Sequence, residues 1–527
     1  MPPSSKIDQS TPTFLQWQNI GIKNHIGINL PLSALKTEKS SGIGEFLDLL
    51  PLFPWCAKLG MDIIQLLPIN DTGFDPSPYN ILSSCALHPI YLSLHKLPYL
   101  EDPDLLNQIT DLRDLNTSEK ISFSTVLTRK MSILFKYYQQ YGNILTSSTH
   151  FTSFVKEHSW LRPYALFKVL QHNMGHVAFS FWPDDLKYTS KDKTEELFKT
   201  HEKEMLFYLV LQYLCFTQMK EVKEEARKYH IFLKGDLPIL ISPDSADVWF
   251  QPEFFNLDVS IGAPPDNYCK EGQNWGFPAP RWSDIKKTNF SWWRDRLKYA
   301  SYFYDIYRID HAVGLFRLWA IPRGHQSKEG YFIPGEEHLW GPHGKELLDV
   351  LCEFPMLPIA EDLGTIPNMV RPLLQKMGIP GTKVMRWERD WEGDLHFLDP
   401  LKYPRMSLTC ISTHDSPTLE QWWRDYPVEA KTYAKQKGWD YSSEITYLQR
   451  QSLLKESVAS SSLFHINLFS EYLALLPEFV SPNPDDERIN VPGTLQPSNW
   501  SYRFRRSLEE ITSSYALHEE MEKILWP

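Results

Sequence analysis

The chain has 527 residues, of which 42% are hydrophobic and 23% charged, a balance that excludes a disordered protein. Its net charge of -11 argues against a nucleic-acid-binding surface, and no apolar run approaches the roughly 18 residues of a membrane span. Length alone suggests about three domains, but an α/β barrel with insertions also reaches this size as one unit.

Aromatic residues make up 14% of the chain, including 18 Trp and 25 Tyr. Ring faces stack on the C–H faces of sugars and on bases, and the acidic balance favours sugars, although any single ring belongs more often to a core. Cys56, Cys85, Cys215, Cys269, Cys352 and Cys410 are scattered without a C-x-x-C pair, so neither a zinc site nor a disulfide framework is expected. The N-terminus lacks the basic and apolar regions of a signal peptide, and a soluble, cytoplasmic protein is expected.

In chain order, residues 1–25 read as an irregular polar lead-in. A first strand is expected over 25–32 (HIGINLPL), a helix from 42 to 59 stopped by Gly60, and a second strand over 61–69 (MDIIQLLPI), whose continuous apolar run suits a parallel strand covered on both faces. Strand, helix and strand within about forty residues is a βαβ signal. The loop 70–84 (NDTGFDPSPYNILSS) follows a strand end, which in a parallel barrel is the catalytic face, and Tyr79 can either cover a sugar ring or pack down its own loop.

Residues 100–228 show helical periodicity and almost no strand signal, so a helical insertion is expected there, ending in a helix over 195–229. It divides a first part of the barrel, 26–99, from the remainder, 229–527. A strand over 230–241 carries Asp236. Residues 242–283 then read as a long substrate-covering loop rich in Pro, Gly, Asp and aromatics, in which Gln273, Asn274 and Trp275 offer an aromatic platform with amides. Trp292 and Trp293, on the helix that follows, read as core.

The stretch 304–311 (YDIYRIDH) reads as a strand with Ile306, Arg308 and Asp310 on one face and Tyr307 and Ile309 on the other. Taken alone it fits a structural Arg308–Asp310 ion pair as well as an active site. Further strands are expected over 355–363, ending in Glu361 and Asp362, over 381–387, and over 408–415, ending in His414 and Asp415. The chain closes with an amphipathic helix from about residue 504. One acid at a strand end can be a helix cap. Asp310, Glu361 and Asp415 at the ends of successive barrel strands would point into one cavity, and two carboxylates flanking a glycosidic bond are the minimum for glycoside chemistry. On this reading Arg308 keeps Asp310 ionised as a nucleophile, while Glu361, in an apolar setting, has a raised pKa and carries a proton.

The motifs Arg-Ile-Asp-His at 308–311, Ala-Glu-Asp-Leu-Gly at 360–364 and Thr-His-Asp at 413–415 together resemble the 4-α-glucanotransferases, the amylomaltases and disproportionating enzymes of the α-amylase clan. The likeness extends to Asp-Pro-Ser-Pro-Tyr at 75–79, Gly-Asp-Leu-Pro at 235–238, Gly-Gln-Asn-Trp-Gly at 272–276, and Asn-Val-Pro-Gly at 490–493 with Asn499 and Trp500. The resemblance implies an α/β fold, a (β/α)8 TIM barrel with helical and loop-rich insertions between its strands. It also implies transfer of α-1,4-glucan segments among maltodextrins, maltose, glucose and glycogen-type acceptors, without metal or organic cofactor. Asp310 is then the nucleophile, Glu361 the general acid/base and Asp415 the transition-state stabiliser. Arg308, His311 and His414 form the polar wall around the reacting glucose, and Tyr79, Asp236 and Trp275 bind sugar. Asp266 and Gln273 lie on the loop that closes over the acceptor, and Asn490, Pro492 and Gly493 match a motif near the last strand. After the nucleophile, residues 312–319 are more similar to the plant cytosolic disproportionating enzymes than to bacterial amylomaltases. A hydrolase with the same triad, or a glycan-binding protein with a degenerate site, are the competing readings.

Overall fold

The computed structural model describes residues 7–265 and 270–526. Its described strands are β1 (His25–Leu30), β2 (Ile63–Leu66), β3 (Phe232–Leu237), β4 (Phe255–Ala263), β5 (Gln273–Pro280), β6 (Ile306–Ile309), β7 (Leu318–Pro322), β8 (Tyr331–Ile333), β9 (Leu357–Ala360), β10 (Gly381–Val384), β11 (Ser407–Cys410) and β12 (Phe464–Leu468). Eight of them form a parallel sheet in the order β10-β11-β12-β1-β2-β3-β6-β9. The Ala360 N–H donates to the Pro380 carbonyl at 2.8 Å and joins β9 to the start of β10, so the sheet closes. This is the (β/α)8 barrel, its two end strands brought together at this bond.

Apolar residues at alternate positions fill the lower barrel: Ile63, Ile306, Leu357, Ile359, Val384, Leu408, Phe464 and Ile466 make one buried cluster. The same alternation carries Gln65, Lys234, Asp236 and Arg308 inward nearer the C-terminal ends of β2, β3 and β6. Lys234 stands in register with Gln65 and Ile306, and Asp236 with Arg308. An interior that is greasy at one end and charged at the other is the arrangement of a barrel with its site at the strand C-termini.

The lead-in contains a helix, Phe14–Ile20, where irregular chain was expected. Trp17 and Ile20 on it belong to the barrel-floor cluster, and Trp17 donates to the Gly378 carbonyl at 2.8 Å. Its polar residues had masked a one-turn apolar stripe. The strand β12 has no distinct sequence signal, because LFHINL, buried on both faces, reads as readily as a short helical segment.

Between β2 and β3 the chain is helical, with long helices at Phe123–Thr146, Leu161–Asn173 and Glu202–Lys228. The helix expected over 195–229 is two, Lys191–Thr200 and Glu202–Lys228, broken at His201. Lys130, buried on the first long helix, bonds Glu45 Oε1 at 2.7 Å and the carbonyls of Ile90 and Leu92 at 2.6 Å each, fastening these helices to the chain that follows β1 and β2.

The long loop expected over 242–283 is mostly regular structure. A short helix, Ala246–Phe250, leads into β4 and β5, which with β7 and β8 form an antiparallel sheet in the order β5-β4-β7-β8. Its Pro and Gly content hid the strands; a register shift between Asn256 and Ser260 lets such a sequence pair. Trp292 and Trp293 are buried, as expected. The C-terminal segment is two helices, Leu508–Ser513 and Tyr515–Leu525. Cys56, Cys85, Cys215, Cys352 and Cys410 are buried free thiols, and Cys269 lies outside the described residues. Among those residues no helix is long and apolar enough to cross a membrane.

Candidate active site

Asp236 on β3, Arg308 on β6, Asp310 and Glu361 directly after β6 and β9, and Asp415 on the loop that follows β11 meet at the C-terminal mouth of the barrel; β11 ends at Cys410, short of the expected strand end. Arg308 is the hub. Its Nη1 donates to both Asp236 carboxylate oxygens at 2.8 Å and lies 2.9 Å from Asp310 Oδ1, while its Nη2 donates to Glu361 Oε2 at 2.7 Å. A guanidinium offers donors in a fixed planar fork, which is why one side chain can hold three carboxylates.

The chain turns sharply after Asp310. His311 has φ 44°, a left-handed conformation costly for a residue with a Cβ and concentrated at functional sites. That turn aims the His311 N–H at Glu361 Oε2, 2.7 Å away. The His311 ring meets Trp275 edge to face at 4.8 Å, and Trp275 Nε1 donates to Gln273 Oε1 at 3.0 Å. The platform on β5 therefore leans on the residue next to Asp310.

On the opposite side, Tyr79 donates its hydroxyl to Asp236 Oδ2 at 2.8 Å, and the hydroxyl lies 3.0 Å from His414 Nε2. His414 Nε2 is 3.2 Å from Asp415 Oδ2, and Asn490 Nδ2 donates to Asp415 Oδ1 at 2.7 Å. Trp500 packs against both Tyr79 and His414, with ring centroids 5.8 and 5.9 Å away, completing an aromatic wall. Trp500 is a further member of the site, and its sequence signal is the Asn499-Trp500 pair. Arg488, which donates to the Asp415 carbonyl at 2.8 Å, and the buried pair Lys234 and Gln65 had no local signal at all.

The electrostatics depart from expectation. Burial, together with Glu361, Asp236 and Asp415, pushes the Asp310 carboxyl well above the usual range despite Arg308. Burial opposes ionisation of Glu361 too, but Arg308 and the His311 N–H outweigh it and hold that carboxyl below its ordinary value. The expected order, Asp310 charged and Glu361 protonated, is thus reversed in this conformation, because Glu361 takes the two charge-assisted hydrogen bonds. Asp415 is held at about 2, since His414, Asn490 and Arg308 overcome its burial. Burial lowers the His311 ring to about 4 and keeps it neutral. Burial and then Asp236 raise the Tyr79 phenol well above its ordinary value, so it remains a donor.

Asp310, Glu361, Asp415, Tyr79, Asp236, Gln273, Trp275, Arg308, His311, His414 and Asn490 are therefore gathered around one mouth. Pro492 and Gly493 stand on an exposed loop beyond Asn490 and bond none of the carboxylates. Asp266 lies outside the described residues. Among those residues one group could ligate a metal, Asp390, Asp394 and His396, and it contains none of these carboxylates.

A family model described as 4-alpha-glucanotransferase matches residues 30–509. The chain belongs to the 4-alpha-glucanotransferase family. The 4-alpha-glucanotransferase of Chlamydia pneumoniae is 44% identical over 524 residues, covering 99% of each chain. That of Chlamydia trachomatis serovar D is 40% identical, again covering 99% of each. In fold, the chain is similar to an amylomaltase from Streptococcus agalactiae in complex with acarbose, with a TM-score of 0.82 at 24% identity over 96% of this chain and 99% of that one. Within this 4-alpha-glucanotransferase the carboxylate cluster and the aromatic wall lie inside the matched span.

Proposed function

We propose that this 4-alpha-glucanotransferase moves α-1,4-glucan segments between maltodextrin or glycogen-type donors and glucose or glucan acceptors by a retaining double displacement. Asp310 attacks the anomeric carbon while Glu361 gives its proton to the leaving glycosidic oxygen. Glu361 then takes the proton of an acceptor 4-hydroxyl, which displaces the glucan from the Asp310 ester; two inversions leave the α configuration. Asp415 and His414 grip the hydroxyls of the reacting glucose, Tyr79 and Trp500 cover its face, and Trp275 with Gln273 lies toward the acceptor.

The observation that carries this reading is the bridging of Asp310 and Glu361 by the two terminal nitrogens of Arg308. Carboxyls held on one guanidinium favour the close separation of a retaining pair, roughly 5–5.5 Å, over the roughly 6.5–9.5 Å that admits a water in an inverting one. Transfer is favoured over hydrolysis when an acceptor sugar outcompetes water, a task suited to the wall of Trp275, His311 and the antiparallel sheet.

Incubation with maltotriose and analysis of products by chain length tests the reading. A ladder of longer oligomers with glucose is the expected result. Shorter sugars alone would make the enzyme a hydrolase with the same triad, and binding without turnover would leave a glycan-binding protein.

A further inference from the structure

Four carboxylates, Asp236, Asp310, Glu361 and Asp415, crowd this mouth; Arg308 bridges the first three, and Arg488 lies on the backbone of the fourth. A further basic side chain lies directly below. Lys234 sits two residues before Asp236 on the inward face of β3, about 7 Å deeper by strand rise. It is 1% exposed. Its Nζ donates to Gln65 Oε1 at 2.7 Å, a neutral partner on the neighbouring strand, and makes no ion pair within 4 Å among the described residues. A lysine is rarely buried unless paired, and an apolar residue would fill this layer at lower cost, as Ile306 does beside it.

We infer that Lys234 is a positioning residue for the reaction, a further cation whose field, acting from beneath Asp236, favours the ionised state of the Asp310/Glu361 pair. The titratable and charged groups around it are Asp236 on its own strand, Arg308 on β6, Glu361 beyond β9 and the Cys410 thiol on β11, which burial keeps neutral, with Gln65 as its hydrogen-bond partner on β2. Burial lowers the ammonium to about 7, with Asp236 drawing it back upward, so it carries charge across the acid side of neutrality. There it lowers the pH at which the pair gives up its proton. The effect is through space: Lys234 is buried, and its ammonium bonds Gln65 and none of the carboxylates.

The inference rests on Asp310 and Glu361 being the reactive carboxyls, and the experiment separates the two ideas. The pH profile of kcat/KM for maltotriose is recorded for wild type, Lys234→Met, Gln65→Glu and Asp310→Asn. Lys234→Met removes the charge at similar length. Gln65→Glu keeps the lysine but cancels its field with an adjacent carboxylate, and serves if the methionine variant fails to fold. Both variants are expected to raise the midpoint of the acid limb by about one pH unit, a roughly tenfold loss on that side, with KM at the optimum changed less than twofold. An acid limb unmoved in every folded variant overturns the role of Lys234 and leaves it a packing residue. An active Asp310→Asn overturns instead the mechanism on which it rests.

Discussion

Arg308 gives Glu361 its aligned hydrogen bond, Nη2 to Oε2 at 2.7 Å, while Asp310, 2.9 Å from Nη1, shares that nitrogen with both oxygens of Asp236. The one guanidinium therefore charges the residue that must begin the reaction protonated. For the first displacement the proton has to pass from Asp310 to Glu361, and a glycosidic oxygen entering beside Glu361 gives that proton a place to be used. The two carboxyls titrate as a pair, and their pH dependence belongs to both.

Glu361→Gln should show this pairing. Glutamine keeps the bond from Arg308 to an oxygen but cannot carry the proton, so kcat should fall by about 10²–10⁴. The alkaline limb of the kcat profile should vanish with it. Retention of that limb would assign the acid role to another group.

Tyr79→Phe removes one hydroxyl that bonds Asp236 and meets His414. Each carboxylate bond of this kind is worth about 1.5–3 kcal/mol. A loss of about tenfold to a hundredfold in kcat/KM is expected. Trp500→Ala, which removes stacking surface and no proton chemistry, should act mainly through KM, and steady-state kinetics on maltotriose would distinguish the two effects.

His88 supplies a pH test of stability away from the active-site carboxylates, with the buried Asp71 carboxylate 3.7 Å from its Nε2. Its Nδ1 accepts the Ile90 N–H at 3.1 Å and its Nε2 donates to the Gly73 carbonyl at 3.0 Å, so the neutral ring is the one built in. Burial lowers it to about 4 against an ordinary 6.5. Its folded value is depressed, so its contribution is fully present above pH 6.5 and lost as pH falls from 6.5 to 4. The slope from one such proton is at most about 1.4 kcal/mol per pH unit. Urea midpoints of His88→Gln should fall less steeply than those of wild type across that window.

Lys130→Met would strand Glu45, which is fully buried with Lys130 as its ion partner at 2.7 Å. Removing one member of a buried pair costs about 3–5 kcal/mol. The loss should appear in thermal unfolding, with proteolysis directed first at the helices between β2 and β3. Trp17→Ala opens the barrel floor and should cost about 3–5 kcal/mol as a cavity, with little change in KM, because the site lies at the other end of the strands.

The sequence by itself determined the α/β class, the parallel barrel, the helical stretch between β2 and β3, and the acids at strand ends, because continuous apolar runs and a 3.6-residue period are local properties. It also pointed Asp310, Glu361 and Asp415 into one cavity, since strand ends of a barrel converge, and the motifs shared with the family added Asp236 to them. Tertiary structure alone decided the rest. The Phe14–Ile20 helix and β12 are defined by what they pack against, and β4 and β5 pair as a Pro- and Gly-rich ladder interrupted by register shifts. Which carboxyl Arg308 charges depends on two nitrogens about 2 Å apart and on the left-handed turn at His311, and Lys234 gains its place from register with Gln65. Such relations join residues far apart in the chain, and no spacing along it can express them.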